Sequence, residues 1–286
     1  MGTLPGSPED RPTFGKLVGN LARGFFEFLG QIALHFDSLP LEEKQPIKDF
    51  MTTLLSNSGA AKQSVEFLVK DDRELKRLLL DRAWWVLQKD ITGEMKRELL
   101  RLGREGKSGH IDEYLCAHFR ADEFGKLQAK VKIWLDVPYL NERHQIISDS
   151  LEAHKAGKYT LTIPSLLPLL DGLTRQFRKA HERPRRNKNR RGVIQVNQFA
   201  GYYRRKEHKL WGAPFEKFVN QIAYLPFEFG KGQPLNSFNR HGILHGELPD
   251  YATETNSLKV ILLLDTAAQF VRAVEKRSRS ARPASA

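Results

Sequence analysis

Apolar residues recur at steps of three or four along almost the whole chain, the period of a helix with one buried face. Within 14–36 the stripe is Leu17, Leu21, Phe25, Phe28, Leu29 and Ile32. Residues 47–55 read as a short helix that stops at Ser56-Asn57-Ser58-Gly59. Further helices are expected over 64–69, 75–88 and 91–102. Trp84 and Trp85, set among Leu78, Leu79, Leu80 and Val86, read as core anchors. A Gly-rich loop is expected at 103–109, a long helix over 111–134, a turn at 136–139 and a helix over 140–156. Over 160–179 one stripe holds Ile163, Leu166, Leu167, Leu170, Leu173 and Phe177, and Pro164 suits its first turn.

Alternation with period two is almost absent, and 192–196 is the clearest strand candidate. The expected fold class is therefore all-α. The stretch 235–245 closes at Gly246, and Pro249 blocks its continuation. Thr253 or Thr255 can cap a last helix whose apolar face is Leu258, Ile261, Leu262, Val271 and Val274, with Asp265 as a polar exception. A shift of composition near residue 138 divides an N-terminal helical domain (14–138) from a C-terminal helical bundle (139–275). The Pro- and Gly-rich residues 1–13 and the basic tail 276–286 are expected to be disordered.

Charge sharpens this outline. The chain of 286 residues carries a formal net charge of +12. Between Arg175 and Lys209 it has 13 Lys or Arg against Glu182 and Glu207 only, so one basic insertion holds nearly the whole excess. Charge this localised implies a polyanionic partner. The cations include Arg185, Arg186, Lys188, Arg190, Arg191, Arg204 and Arg205, and Tyr202, Tyr203 and Trp211 lie among or beside them. Cations to hold phosphate and rings to stack on bases suit single-stranded nucleic acid. A solvated basic loop is the plainer reading of the same residues.

Several classes are disfavoured. No run of 18 apolar residues marks a transmembrane helix. The first ten residues lack the basic and apolar blocks of a secretory signal, and Gly at position 6 breaks the myristoylation pattern. A P-loop would need Gly where Arg101 stands, five residues before Gly106-Lys107-Ser108. Cys116, the one cysteine, forbids an intrachain disulfide, suits a reducing cytoplasm and reads as a core thiol.

The chemistry concentrates in 236–246, Asn-Ser-Phe-Asn-Arg-His-Gly-Ile-Leu-His-Gly. On a helix His241 and His245 share a face, and Asn236 and Leu244 lie one turn either side of Arg240. Three readings stand. Two His at this spacing can ligate zinc, but Gly242 replaces the Glu that a zinc protease needs. The residues can instead be structural, with Arg240 paired to an acid such as Asp171. Or they can process a phosphodiester with no metal or other cofactor, a His moving protons and Arg240 stabilising the charge that builds on phosphate.

The run Arg240-His241-Gly242-Ile243-Leu244-His245 resembles the Arg-x4–6-His signature of the HEPN superfamily, in which a polar residue commonly follows the Arg. Asn239 before it, and Asp250-Tyr251, Thr253 and Asn256-Ser257-Leu258-Lys259 after it, keep the running order of bacterial HEPN-like proteins. Asp171 stands where many of these carry Glu. The resemblance covers about residues 139–275 and implies a helical bundle paired as a two-fold homodimer. It implies a metal-independent endoribonuclease acting on single-stranded RNA, in phage defence or as a toxin, with an antitoxin or defence-system partner and no membrane. Arg240 would hold the phosphate, His245 would act as acid or base, and His241 would orient the pair. Asp171, Asn236 and Asn239 would support them. Some members of the superfamily only bind RNA or other proteins.

Replacing Arg185, Arg186, Arg190 and Arg191 by Gln tests the basic insertion. RNA affinity should fall, and the slope of log affinity against log salt should flatten by about 3, near 0.7 for each lost phosphate contact. An unchanged slope would return the segment to a solvated loop.

Overall fold

The structure is a computed structural model describing residues 59–181, 195–206, 209–226 and 238–280, together with position 49. The chain separates into two compact units, 1–69 and 70–286. Of the first, the described part beyond position 49 is the opening of one helix. Ten α-helices and no strand occur among the described residues. They are α1 Gly59–Asp81, α2 Gly93–Arg104, α3 Ile111–Trp134, α4 Pro138–Asn141 and α5 His144–Lys155. Then come α6 Tyr159–His181, α7 Gln195–Lys206, α8 Lys209–Phe218, α9 Arg240–Leu244 and α10 Glu254–Ser280. The all-α expectation holds.

Some boundaries differ from the sequence reading, each for a local reason. Gly59, read as a helix stop, opens α1. The segments expected at 64–69 and 75–88 belong to or follow this one helix, which ends at Asp81. Ala83 takes a left-handed φ of 56°, and the turn sends both indoles into the core, Trp84 fully buried and Trp85 nearly so. The Trp84 Nε1–H donates to Asp112 at 2.7 Å, and Arg82 pairs with the other oxygen of that carboxylate at 2.7 Å. The strand candidate at 192–196 is corrected at its end: Gln195 and Val196 are the first turn of α7. Val196, Phe199, Ala200 and Tyr203 form a buried stripe at helical spacing, and that burial outweighs the β propensity of a short valine-rich run. The tail expected to be disordered from 276 instead continues α10 to Ser280. The boundary placed near 138 falls within the second unit, where Val137 and Leu140 are buried. Residues 1–13 lie outside the described residues.

α3 keeps its expected limits but is broken in the middle. Asp122, Glu123 and Phe124 have φ of 53°, 51° and 64°, a left-handed stretch without glycine. Such residues cost on the order of 1–3 kcal/mol each and persist where the surroundings fix them. Here Phe124 packs edge-on against His154 at 5.5 Å, while Lys126 and Gln128 donate to the His118 and Glu123 carbonyls at 3.2 Å each.

The helix around which the second unit is built is α10. Residues 256–268 are buried without a break, so this helix has no solvent face over that length. Its start is capped as expected, Thr253 Oγ1 accepting the Asn256 N–H at 3.1 Å. α3 runs alongside in the same direction. Cys116 and Arg120 meet Thr255 and Glu254, Trp134 meets Asp265, and Asp136 meets Arg272. The polar exception Asp265 is fully buried and accepts from Lys130 and the Trp134 indole at 2.8 Å each and from Gln269. α6 packs along α10 and carries a buried stripe from Ile163 to Phe177. α7 and α8 cross so closely that a Cβ on Gly212 would lie 2.7 Å from the Arg204 Cα. Phe177, Phe199, Tyr203, Phe215 and Phe270 join these helices in one aromatic cluster.

His154 on α5 is buried beside Ser257, its Nδ1 2.8 Å from the hydroxyl. Burial pushes its pKa down to about 4, against an opposing pull from Glu254. The unfolded chain therefore binds a proton near pH 6.5 that the folded chain refuses until about pH 4. The stability from keeping His154 neutral is complete above pH 6.5 and is lost as pH falls toward 4. Urea unfolding of the wild type and His154→Asn at pH 7 and pH 4.5 checks this. The stability gap between them should narrow by about 2 kcal/mol at the lower pH, and a gap independent of pH would refute it.

Candidate functional site

The candidate site assembles on α9, a short helix anchored to α6 and to the chain after α8. Asn239 precedes it in extended conformation, and its Oδ1 accepts the Gly242 N–H at 3.0 Å. Its Nδ2 donates to the Leu225 carbonyl at 3.0 Å. Asn239 is thus buried with both ends of its amide used, which fixes where α9 starts. α8 passes into a π-helical turn at Val219–Ala223 that ends in Tyr224. Phe218 stacks on Phe238 at 6.2 Å, bringing the two flanks of 227–237 together.

Arg240 leaves the first residue of α9 toward α6. Its Nη2 lies 2.7 Å from Asp171 Oδ2, an ion pair about four-fifths buried on both sides. The other oxygen of Asp171 accepts the Tyr224 hydroxyl at 2.9 Å. Tyr224 is completely buried, and burial followed by the Asp171 charge raises its pKa well above the ordinary phenol value. It remains a neutral donor. Arg240 Nε is buried with no hydrogen-bond partner, so Asp171 is what directs the guanidinium.

Next to Asp171, Gly172 leaves room for the Tyr139 hydroxyl, which any Cβ there would overlap. Arg143 lies over the Tyr139 ring at 3.8 Å and donates to its carbonyl. Aromatic and cation together hold α4 against the part of α6 that bears Asp171.

The two histidines stack in parallel, ring centroids 6.1 Å apart and planes within 6°. His245 is the exposed C-terminal cap, its N–H donating to the His241 carbonyl at 3.0 Å. His241 is half-buried, and its Nε2 has no hydrogen-bond partner. Its pKa is lowered, first by burial, then by Arg240 and His245, with Asp171 opposing. The lowered pKa favours the neutral imidazole at neutral pH.

The structure thus brings Asp171, Asn239, Arg240, His241 and His245 together. Asn236 and the cations Arg185, Arg186, Lys188, Arg190 and Arg191 lie outside the described residues. Arg204 and Arg205 are exposed near the end of α7. Arg204 pairs with Glu216 of α8 at 3.1 Å, and Arg205 lies 5.7 Å from the Tyr202 ring. Tyr203, expected beside them as a stacking face, is instead buried in the aromatic cluster. Among the described residues no group of three or more His, Cys, Asp or Glu could hold a metal ion, and no helix is long and apolar enough to cross a membrane. Sequence reading missed Tyr224, the Leu225 carbonyl and the Tyr139–Gly172 contact. Nothing in a run such as Ile222-Ala223-Tyr224 announces a buried hydroxyl aimed at an acid 53 residues away.

No family model, curated protein or solved structure matches the chain.

Removing the Arg240 charge should raise the His241 pKa. An NMR titration of the imidazoles in wild type and Arg240→Gln reads this directly. The wild-type His241 midpoint should lie below 6.5 and move upward in the variant. A midpoint unmoved by the substitution would place Arg240 too far away to share a site with His241.

Proposed function

We propose that this protein is a metal-independent endoribonuclease that cuts single-stranded RNA. The observation that carries this reading is the grouping on α9: a guanidinium aimed by Asp171 next to two parallel imidazoles, one held neutral. An imidazole takes the proton of a ribose 2′-hydroxyl, whose oxygen attacks the adjacent phosphorus. The bond from phosphorus to the 5′ oxygen breaks, and an imidazolium gives that leaving oxygen its proton. The products are a 2′,3′-cyclic phosphate and a 5′-hydroxyl. Arg240 offsets the charge that grows on the phosphoryl oxygens. The basic insertion draws in the RNA.

The HEPN resemblance supplies the wider setting. A bundle over 139–275 would pair as a homodimer and place two copies of α9 across one cleft. The protein would work in the cytoplasm, in phage defence or as a toxin, with an antitoxin or another defence component as partner. A second reading, a non-catalytic RNA-binding module, draws on the Arg240–Asp171 pair, which satisfies part of the guanidinium within the chain.

Purified protein should cleave single-stranded RNA in EDTA. His245→Ala and Arg240→Ala should each lose about 10²–10⁴ in rate. Equal rates in all three proteins would remove α9 from the chemistry. Loss of cleavage only on chelation would favour a metal enzyme, and RNA binding without cleavage would favour the binding module.

A further inference from the structure

We infer that Tyr224 is a positioning residue for Arg240, acting through the carboxylate of Asp171; the inference rests on α9 being the RNA site. A carboxylate held by one donor can turn about its last torsion, which has a broad preference. Asp171 has two donors on two oxygens, Tyr224 on Oδ1 at 2.9 Å and Arg240 on Oδ2 at 2.7 Å. The second donor fixes the carboxylate plane, and the carboxylate then fixes the direction of the guanidinium. Arg240 depends on this because its Nε is buried without a partner.

Tyr224 suits the task because it cannot move independently. Its ring is fully buried, and its N–H closes the π-helical turn on the Val219 carbonyl at 2.8 Å. The neighbouring Leu225 carbonyl accepts from Asn239, which caps α9. Two consecutive residues therefore fasten both the helix that carries Arg240 and the acid that aims it. The π-helical turn closes the C-terminal end of α8, a common place for such a turn. Here the turn ends on the tyrosine whose hydroxyl reaches Asp171.

Tyr224→Phe in the full chain removes only the hydroxyl and is the test. On single-stranded RNA, kcat should fall about ten- to a hundredfold with KM nearly unchanged, because the guanidinium is misdirected in the transition state. In the Arg240→Ala background the same substitution should have no further effect on the rate. An equal fold-loss in both backgrounds would make Tyr224 merely structural and overturn the inference, as would a wild-type rate in Tyr224→Phe. Should Tyr224→Phe fail to fold, Asp171→Asn takes its place, with the same kcat loss and absence of additivity expected and the same outcomes overturning the inference. If the wild type cuts no RNA, the reading of α9 fails and the Arg240 Nε–H resonance decides the positioning. Broadening or displacement of that resonance in Tyr224→Phe supports it, and an unchanged resonance overturns it.

Discussion

The second unit depends on a helix that has no face for water. Residues 256–268 of α10 are buried, so each polar group there needs a partner within the protein or the helix would cost more to bury than its leucines return. The partners come from every side. Lys130, Trp134 and Gln269 serve Asp265, His154 meets Ser257, and the Arg82 carbonyl accepts from Lys259. Burial pushes the Lys259 pKa down to about 8, and the Trp84 ring lies 5.1 Å from its ammonium. These contacts are specific where apolar packing is permissive. They set the register of α3 and α5 against α10, and α6 packs on the same helix.

That fixed α6 is what makes a small site possible. α9 is too short to be stable as an isolated helix. It stands because Asn239 caps it, Ile243 is buried beneath it, and Arg240 binds Asp171 on α6. The same ion pair that orders α9 also determines which way the guanidinium faces. The ion pair therefore couples the stability of α9 to the direction of the guanidinium that the proposed reaction uses, and the cost of desolvating the Asp171 charge is met by an Arg and a Tyr together.

The helical period made the fold class and most helices legible, since it reports directly which side of each segment is buried. Thr253 as a cap and the two tryptophans as core anchors followed from the same local logic. Asp171 is the acid that the structural reading of the motif pairs with Arg240, and it stands in the Glu place of the HEPN resemblance, but with 69 residues between them no local pattern could show the contact itself. The left-handed run at Asp122–Glu123–Phe124 was invisible, because no glycine marks it and its support comes from His154 on another helix. Asp265 stood out as an exception, but its partners more than 130 residues away could not be read from periodicity. Tyr224 was missed for the same reason: a buried hydroxyl is recognisable only from what it reaches.

The most direct test of the central claim uses the ribose hydroxyl itself. A single-stranded oligodeoxynucleotide carrying one ribonucleotide should be cut in EDTA only on the 3′ side of that ribonucleotide, leaving a 2′,3′-cyclic phosphate. Cleavage at deoxynucleotide positions would contradict the account, as would an intact strand under conditions where all-RNA of the same sequence is cut.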